Sequence, residues 1–450
     1  MKTKNITESN LALTPSAVKI EHINIFNHNG KKREVKNICV KIEITESLFT
    51  PFLVLKLEFT DATNLIESFP IIGQERVDIK LSRKELGQDE EVSIDLPFVV
   101  TKYPTYGKGQ SESLQLFTLE AISNHAYRSN FKKISRSYSG TSTDQLKKIF
   151  SEDLEMDSEL KSYGDDVSRH RGIINIQTPL EAAEKFRQIA YDGKNSPFYL
   201  YQLLNGDLSF ISLTNLFGEE NPVYKTYVNA NQYSSRTVND AEGAEGKNPD
   251  YEERKTRILD VASNLNLSKY NQSKMGAWAS RNEFLDWSDK SSVREEFDYN
   301  NLDLKLEANT PLSDKFTVFN NPLNKLPEQH LEYISVNNGS FDNEVNFGAI
   351  RKNSIAKNNA FSALMNTYVH DVKLFGDFYL NAGRKIELKF PKAVDPEERQ
   401  ALTNDNDKFD NHLSGKYIIT SAIHTIEGGE YYTDVRVKRD SFSLELGEND

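Results

Sequence analysis

The chain has 450 residues, more than one hydrophobic core usually organises, so about two to four domains are expected. Its formal net charge of −12 argues against electrostatic binding to the phosphate backbone of a nucleic acid. A single cysteine, Cys39, excludes an internal disulfide framework. Residues 1–18 lack the apolar run of a secretory signal, and no stretch approaches the roughly 18–20 apolar residues that span a bilayer. We therefore expect no membrane anchor.

The first predicted β domain covers residues 17–122, after an N-terminal extension at 1–16. Alternation with a period of two places Ile38, Val40, Ile42 and Ile44 on one face of a strand. Similar runs follow near residues 53–59, 77–81 and 92–98, separated by turn-forming clusters. Short strands at this spacing favour an antiparallel barrel or sandwich.

Residues 123–217 predict a small α+β domain. Ser142 with Gln145 forms a plausible capping box for one helix. A second helix has Thr178 as its cap, Pro179 at its first position and Glu181 to complete the box, with Gly193 as its stop. After it, alternating residues on both sides of Asn205-Gly206 predict a hairpin with a type I′ turn.

The rest of the chain is divided less evenly. Residues 218–250 are poor in apolar side chains and predict a polar excursion or linker. Residues 251–298 and 366–445 are assigned to a discontinuous second β domain, interrupted by an insertion at 299–365. Within the insertion, residues 353–366 predict a short helix although four asparagines weaken it.

No pattern in the sequence predicts a catalytic, cofactor-binding or metal site. Asp405, Asp407, Asp410 and His412 share one loop, but they lack the glycine and final glutamate of an EF-hand and are interpreted as a solvated acidic loop. The strand carboxylates have no converging spacing, His424 is interpreted as an ordinary strand histidine, and Cys39 as a small filler. Those carboxylates are Glu43, Glu46, Glu58 and Asp61.

Several blocks resemble the central hub proteins of contractile-tailed phage baseplates, the tail hub or late control protein D-like family. They occur in order over roughly residues 20–440, and no single block is specific. Within 42–75 they are Ile42 to Leu48, Leu57 to Leu65 and Phe69 to Glu75. The later ones are Thr178 to Glu181, Phe198 to Tyr201, Gly206 to Phe210, Gly276 to Arg281, Phe297 to Tyr299, Asn381 to Leu388, Leu413 to Ile419, His424, Tyr432-Thr433 and Arg439 to Ser441.

The resemblance implies a mainly β fold with an α+β insert, in which two antiparallel β-barrel domains of the tail-tube type accompany smaller α+β domains. It also implies a homotrimeric ring with six barrels, which connects the hexameric tail tube to the trimeric central spike and contacts other baseplate proteins. Genomic DNA would pass through its channel without specific binding. Such a subunit is a non-enzymatic virion protein, located in the tail baseplate and assembled in the host cytoplasm, and it needs no cofactor.

Three alternatives remain open. A hub or spike-base subunit of a phage-derived contractile injection system would share the same architecture. A tail-associated cell-wall hydrolase would need convergent acid and base residues, for which no motif is present. A carbohydrate-binding β-sandwich would need exposed tryptophans, whereas Trp278 and Trp287 are interpreted as packing residues.

Overall fold

The computed structural model describes residues 15–84, 91–102, 105–108, 114–194, 196–229, 254–265, 268–287, 290–302, 305–307, 316–336, 347–394 and 408–442. The chain is mainly β, as the sequence predicts. The predicted domain boundaries remain a prediction, because strand pairing by itself does not define independent folding units.

The main feature is a 14-stranded sheet to which both ends of the chain contribute. Its central path runs β15-β21-β24-β23-β3-β4-β8-β6-β5-β1-β2, and β7, β14 and β22 pair beside that path. The N-terminal strands are β1 Lys19–Phe26, β2 Lys32–Glu34, β3 Cys39–Ser47, β4 Val54–Asp61, β5 Arg76–Lys84, β6 Glu91–Val100, β7 Thr105–Lys108 and β8 Gln115–Ser123. The C-terminal strands are β14 Val223–Val228, β15 Asp260–Leu265, β21 Tyr368–Phe375, β22 Lys385–Lys389, β23 Gly415–Glu427 and β24 Glu430–Arg439.

The described strands of this sheet do not pair into a closed barrel. They form one open sheet, whereas the sequence predicts two barrels. Strand β3 explains why the path stays open. It pairs with β4 on one side and with β23 on the other, so neither of its edges is left to meet β1 or β2. The inner faces of the N-terminal strands nevertheless converge on one apolar cluster, which includes Ile44, Leu57 and Phe117.

One predicted face in β3 is wrong at Val40, which is 47% exposed. The register of β3 against β4 shifts between Cys39 and Lys41. An extra residue in one strand turns the next side chain to the opposite face. Ile42 and Ile44, beyond the irregularity, are buried as the alternation predicts.

The α+β region packs helices on two small sheets around its own apolar cluster. One sheet has the order β10-β13-β12 and the other is the ribbon β9–β11. The strands are β9 Ile134–Thr141, β10 Leu160–Tyr163, β11 Arg169–Gln177, β12 Phe198–Gln202 and β13 Leu208–Ser212. The helices up to this point are α1 Leu65–Ser68, α2 Asn124–Ser129, α3 Ser142–Lys148, α4 Pro179–Ile189 and α5 Leu213–Phe217, with a π-helical turn at Ile149–Asp153.

The helix caps and the hairpin that the sequence predicts in this region are found in part. The box of Thr178 and Glu181 caps α4 with Pro179 at its start, but the helix ends at Ile189, before Gly193. Helix α3 is capped by Thr141 with Asp144 and not by Ser142 with Gln145, because Ser142 is already helical. The hairpin β12–β13 is confirmed.

The turn of that hairpin is not type I′. Gly206 has a φ of 89°, whereas Asn205 is not among the residues with positive φ. The amide of Gly206 donates to Leu203 O at 2.9 Å and the amide of Leu203 donates to Asp207 O at 2.9 Å. A type I turn followed by a left-handed glycine fits this pattern, and it needs positive φ at one residue only.

A third small sheet has the order β17-β16-β20, and a short hairpin is formed by β18–β19. The strands are β16 Ala279–Asp286, β17 Ser291–Asp298, β18 Thr317–Val318, β19 Asn321–Pro322 and β20 Leu331–Val336. Strands β16 and β17 belong to the segment assigned to the second β domain, whereas β20 belongs to the predicted insertion. Helix α6 spans Lys269–Lys274, and α7 spans Phe347–Leu364, longer than the predicted helix at 353–366. Val223–Val228 form strand β14 inside the segment predicted as a polar excursion.

Candidate functional site: the junction of the two β regions

The two ends of the chain meet where β3 pairs antiparallel with β23. The register places Ile42 opposite Ile426, Ile44 opposite His424 and Glu46 opposite Ala422. Apolar alternation in each strand supplies the buried face of this pairing. Glu46 and His424 occupy positions in that buried face, where aliphatic residues would be expected.

Glu46 is fully buried and its carboxylate connects four segments. Its two oxygens accept hydrogen bonds from the amide of Leu204 at 3.0 Å and from the amide of Ala382 at 2.8 Å. His424 Nε2 lies 3.6 Å from Oε1, and the ring's Nδ1 lies 2.8 Å from the Tyr431 hydroxyl. A buried carboxylate is tolerated only when its acceptor sites are used, as they are here. Glu46 thus fixes the α+β hairpin and the C-terminal β region against β3.

A second set of contacts joins β5 to the C-terminal β region. The buried guanidinium of Arg83 donates to Gly376 O and to Pro15 O, and it lies 5.8 Å from the centroid of the Tyr431 ring. A Cβ at residue 376 would overlap the Tyr431 ring, so glycine is needed for this close approach. We call Glu46, Arg83, Gly376, His424 and Tyr431 the junction cluster.

Asp377, next to the cluster, is a buried charge with matched partners. It accepts from the Tyr224 hydroxyl at 2.9 Å and from Lys225 Nζ at 2.7 Å. Burial disfavours the ionised form, but the Lys225 ammonium outweighs it and lowers the pKa of Asp377 to about 2. These charges are used inside the fold, as in a structural ion pair.

The other carboxylates of interest are not brought together as a catalytic pair. Glu43 lies 2.7 Å from Lys41, and Glu58 lies 2.6 Å from Lys56, on the outer face of the sheet. Asp61 accepts from the amide of Thr63 at 2.7 Å and so caps a turn. Each carboxylate therefore has a local structural partner.

The predicted acidic loop is described only from residue 408, and Asp405 and Asp407 lie outside the described residues. Asp410 accepts from the amide of His412 at 2.7 Å. The His412 ring packs on Tyr368 and Phe442, with centroids 5.5 and 5.8 Å away. Among the residues that the structure describes, no group of three or more His, Cys, Asp and Glu is arranged to hold a metal ion.

Cys39 and the two tryptophans have different surroundings. Cys39 is half-buried against the N-terminal core, and burial raises the pKa of its thiol to about 12. Trp278 is fully buried beside Tyr299, as predicted, whereas Trp287 is 71% exposed and the packing interpretation is wrong for it. No helix in the described ranges is long and apolar enough to cross a membrane.

The junction cluster was missed by the sequence reasoning, although part of its signal was visible. Glu46 follows Ile42 and Ile44 at a spacing of two residues, so the three share one face of the strand. His424 likewise shares a face with Ala422 and Ile426. A polar residue in an apolar register is buried with a partner or marks a strand irregularity. Only the tertiary structure shows that these two face each other.

Comparison with known proteins shows the fold. The chain is similar to the tail protein from Neisseria meningitidis MC58, with a TM-score of 0.51 and 11% identity over 93% of this chain and 96% of that one. This chain therefore has the fold of a tail protein, in agreement with the resemblance seen in the sequence. No family model and no curated protein matches the chain.

Two further solved structures align over most of the chain with TM-scores below 0.5. One is the 43 kDa tail protein of prophage MuSo2 from Shewanella oneidensis, with a TM-score of 0.49 and 12% identity over 94% of this chain and 99% of that one. The other is the E. coli c3393 protein, a component of the type VI secretion system. Its TM-score is 0.42, with 8% identity over 96% of this chain and 79% of that one. The fold assignment rests on the Neisseria protein.

Proposed function

We propose that this protein is a structural hub subunit of a phage tail baseplate, which acts by geometry and not by catalysis. The observation that carries the proposal is the β3–β23 junction. It joins two β regions of one chain into a continuous sheet, and the same chain has the fold of a tail protein along nearly its whole length. Buried polar contacts at the junction hold the two regions in one fixed relation.

A subunit with two β regions can join a hexameric tail tube to a trimeric spike. Three copies arranged around a threefold axis present six β regions, so one face of the ring can match a hexameric tail tube while the other matches a trimeric central spike. A cyclic assembly of this kind uses one interface repeated around the axis. Other baseplate proteins would bind the outside of the ring, in a virion tail assembled in the host cytoplasm.

The trimer is tested by native mass measurement and analytical ultracentrifugation of the full chain. We expect a species near three times 51.4 kDa that persists at micromolar concentration, because obligate interfaces commonly bury about 2,000 Å² or more. Co-expression with the tail tube and spike proteins should give a complex that contains all three. A chain that stays monomeric at micromolar concentration, with and without the spike protein, would overturn the ring.

The channel is tested separately by DNA binding. A conduit should not hold phosphates by counterion release, and the net charge of −12 fits a weakly interacting wall. We expect no gel shift of duplex DNA at physiological salt. Salt-sensitive binding with a dissociation constant of about 10⁻⁴–10⁻⁶ M, typical of non-specific binders, would overturn passage without binding.

A further inference from the structure

An apolar groove lies between helix α6 and the β18–β19 hairpin. The groove has a volume of about 510 Å³. Its apolar lining comes from Tyr270, Val318, Phe319, Leu323 and Leu326. We call this feature the aromatic groove. Its mouth is exposed, since Tyr270 is 69% accessible and Phe319 is 89% accessible.

The hairpin beside the groove holds its exposed aromatic residue in a strained conformation. Phe319 and Asn320 connect the two strands and have φ values of 51° and 62°. Positive φ at both residues is the requirement of a type I′ turn, which asparagine tolerates well and phenylalanine poorly. The Phe319 ring is exposed to water at this turn, and Phe316, three residues earlier in the sequence, is 79% exposed. Neither the strain nor the exposure helps the subunit to fold, so both point to a partner at this surface.

The charge around the aromatic groove is positive. Lys269 and Lys274 both line it, with their Nζ atoms 4.6 Å from the Trp278 ring centroid and 4.4 Å from the Tyr270 ring centroid. The Lys269 ammonium is buried against Trp278, so the exposed Lys274 is the lysine of the groove that a partner can reach. Burial lowers the pKa of Lys269 to about 8. Glu328, the acidic lining residue, lies 3.2 Å from Arg281. An acidic partner would therefore complement the groove.

The same chain has a surface of the opposite kind at the end of α2. Phe131 is 75% exposed, and its amide donates to Arg128 O. The Arg128 guanidinium in turn lies 3.6 Å from the carboxylate of Glu155, which has a φ of 51° and a side chain 76% exposed. Residues 152–159 contain no basic residue and five carboxylates, of which Asp153 is paired inside the subunit with Lys132 and Arg136. The other four are Glu152, Glu155, Asp157 and Glu159. We call Phe131 with residues 152–159 the acidic knob.

We propose that the acidic knob of one copy of this chain binds in the aromatic groove of a second copy. The inference rests on the proposed trimer, because a threefold ring is built from head-to-tail contacts in which two different surfaces of the subunit meet. Phe131 fills the apolar part of the groove, and the Glu155 carboxylate faces the exposed Lys274. Exposed aromatic residues surrounded by complementary charge are typical centres of interface binding energy.

The test is self-association of the full chain, measured by sedimentation at several concentrations. We expect Lys274→Glu and Phe319→Ala each to raise the concentration for half-assembly at least tenfold. Lys32→Glu, on the distant edge strand β2, and Trp287→Ala, another exposed aromatic, are the matched controls and should leave it unchanged. Thermal unfolding of each variant checks that the subunit still folds.

A charge exchange tests the pairing itself. Glu155→Lys alone should weaken assembly, and the double variant Glu155→Lys with Lys274→Glu should recover at least half of the loss. A photo-crosslinking residue at position 319 should label the segment around residues 124–160 of another copy. Groove variants that assemble like the parent, or a double variant without recovery, overturn the proposal while leaving the trimer intact. A monomeric parent overturns the proposed ring instead.

Discussion

The junction cluster and the aromatic groove use the same kinds of residue in opposite ways. At the junction, Glu46, His424 and Tyr431 are buried, and each has a partner within the fold. At the groove, Phe319 is 89% exposed with a left-handed backbone, and Tyr270 is 69% exposed. One region places its aromatic and charged side chains inside the subunit, and the other presents them to solvent.

This difference separates the two tasks of a ring subunit. Its β regions must keep one relation to each other, and buried polar groups with several fixed partners suit that purpose because misplacing any segment leaves a group unsatisfied. Its contact surfaces must remain available until the next copy arrives. Strain and exposed aromatic area at such a surface lower subunit stability but support association.

The largest effect is expected from Glu46→Ala. The substitution leaves the buried amides of Leu204 and Ala382 without acceptors, so the free energy of unfolding should fall by about 3–5 kcal/mol. Urea unfolding of the full chain measures it. Glu43→Ala on the outer face of the same strand is the matched control, with an expected loss of less than about 1 kcal/mol. Equal losses in the two variants would show that Glu46 does not secure the junction.

A smaller loss in the free energy of unfolding is expected from Gly376→Ala. The added Cβ would overlap the Tyr431 ring, so the junction must shift at a cost of about 1–3 kcal/mol. Gly193→Ala is the control, because a Cβ there has no neighbour within 4 Å. Melting temperatures of both variants, with the same heating rate, measure the contrast. A melting temperature for Gly376→Ala equal to that of the control would mean that Tyr431 is not closely packed on this backbone.

Acid should lower the free energy of unfolding through buried histidines. His370 in β21 is buried between Ser263 and Tyr417, and this burial lowers the pKa of His370 to about 4. The unfolded chain takes up a proton near pH 6.5, whereas the folded chain does not until about pH 4. The contribution of His370 to the free energy of unfolding is therefore complete above pH 6.5. Between pH 6.5 and about pH 4 it falls by about 1.4 kcal/mol per pH unit.

Other buried groups modify this slope. Burial also lowers the pKa of His125 and of His170 to about 4, which adds to the loss in acid. Asp440 acts in the opposite direction, because burial raises its pKa to about 6 and its contribution is complete only in acid. Unfolding free energies at pH 7 and pH 5 should thus differ by about 2 kcal/mol or more in favour of pH 7. A flat profile would contradict the buried neutral histidines.

Short-range signals in the sequence predict much of the fold. Thr178, Pro179 and Glu181 specify the start of α4 because the capping contacts lie within one turn. Alternation predicts the buried positions of Ile42 and Ile44 in β3, but it does not say which strands pair. The periodicity of a strand fixes its faces and not its neighbours. The β3–β23 pairing and the contact of Glu46 with His424 therefore require the tertiary structure.

The groove was harder to predict, for a local reason. A type I′ hairpin is normally signalled by Asn-Gly or Asp-Gly, and here its turn residues are Phe319 and Asn320. The sequence therefore predicts only an insertion at 299–365, without a hairpin at these residues. Val40 was missed for a similar reason, since the irregularity between Cys39 and Lys41 leaves no distinct mark in the alternation. Strained positions are those where local preference and final structure disagree.

The smallest effect, and the sharpest contrast with Glu46→Ala, is expected from Phe319→Asn. Asparagine accepts a left-handed conformation more readily than phenylalanine, and the lost ring contributes little to the core because it is 89% exposed. The free energy of unfolding should be unchanged or higher by up to about 1 kcal/mol. The measurement belongs in a Lys274→Glu background, where the proposed contact between copies is already weakened and assembly does not alter the unfolding equilibrium. A loss of more than about 1 kcal/mol would place Phe319 among the residues that hold the subunit together, and the groove would then lose its distinction from the junction.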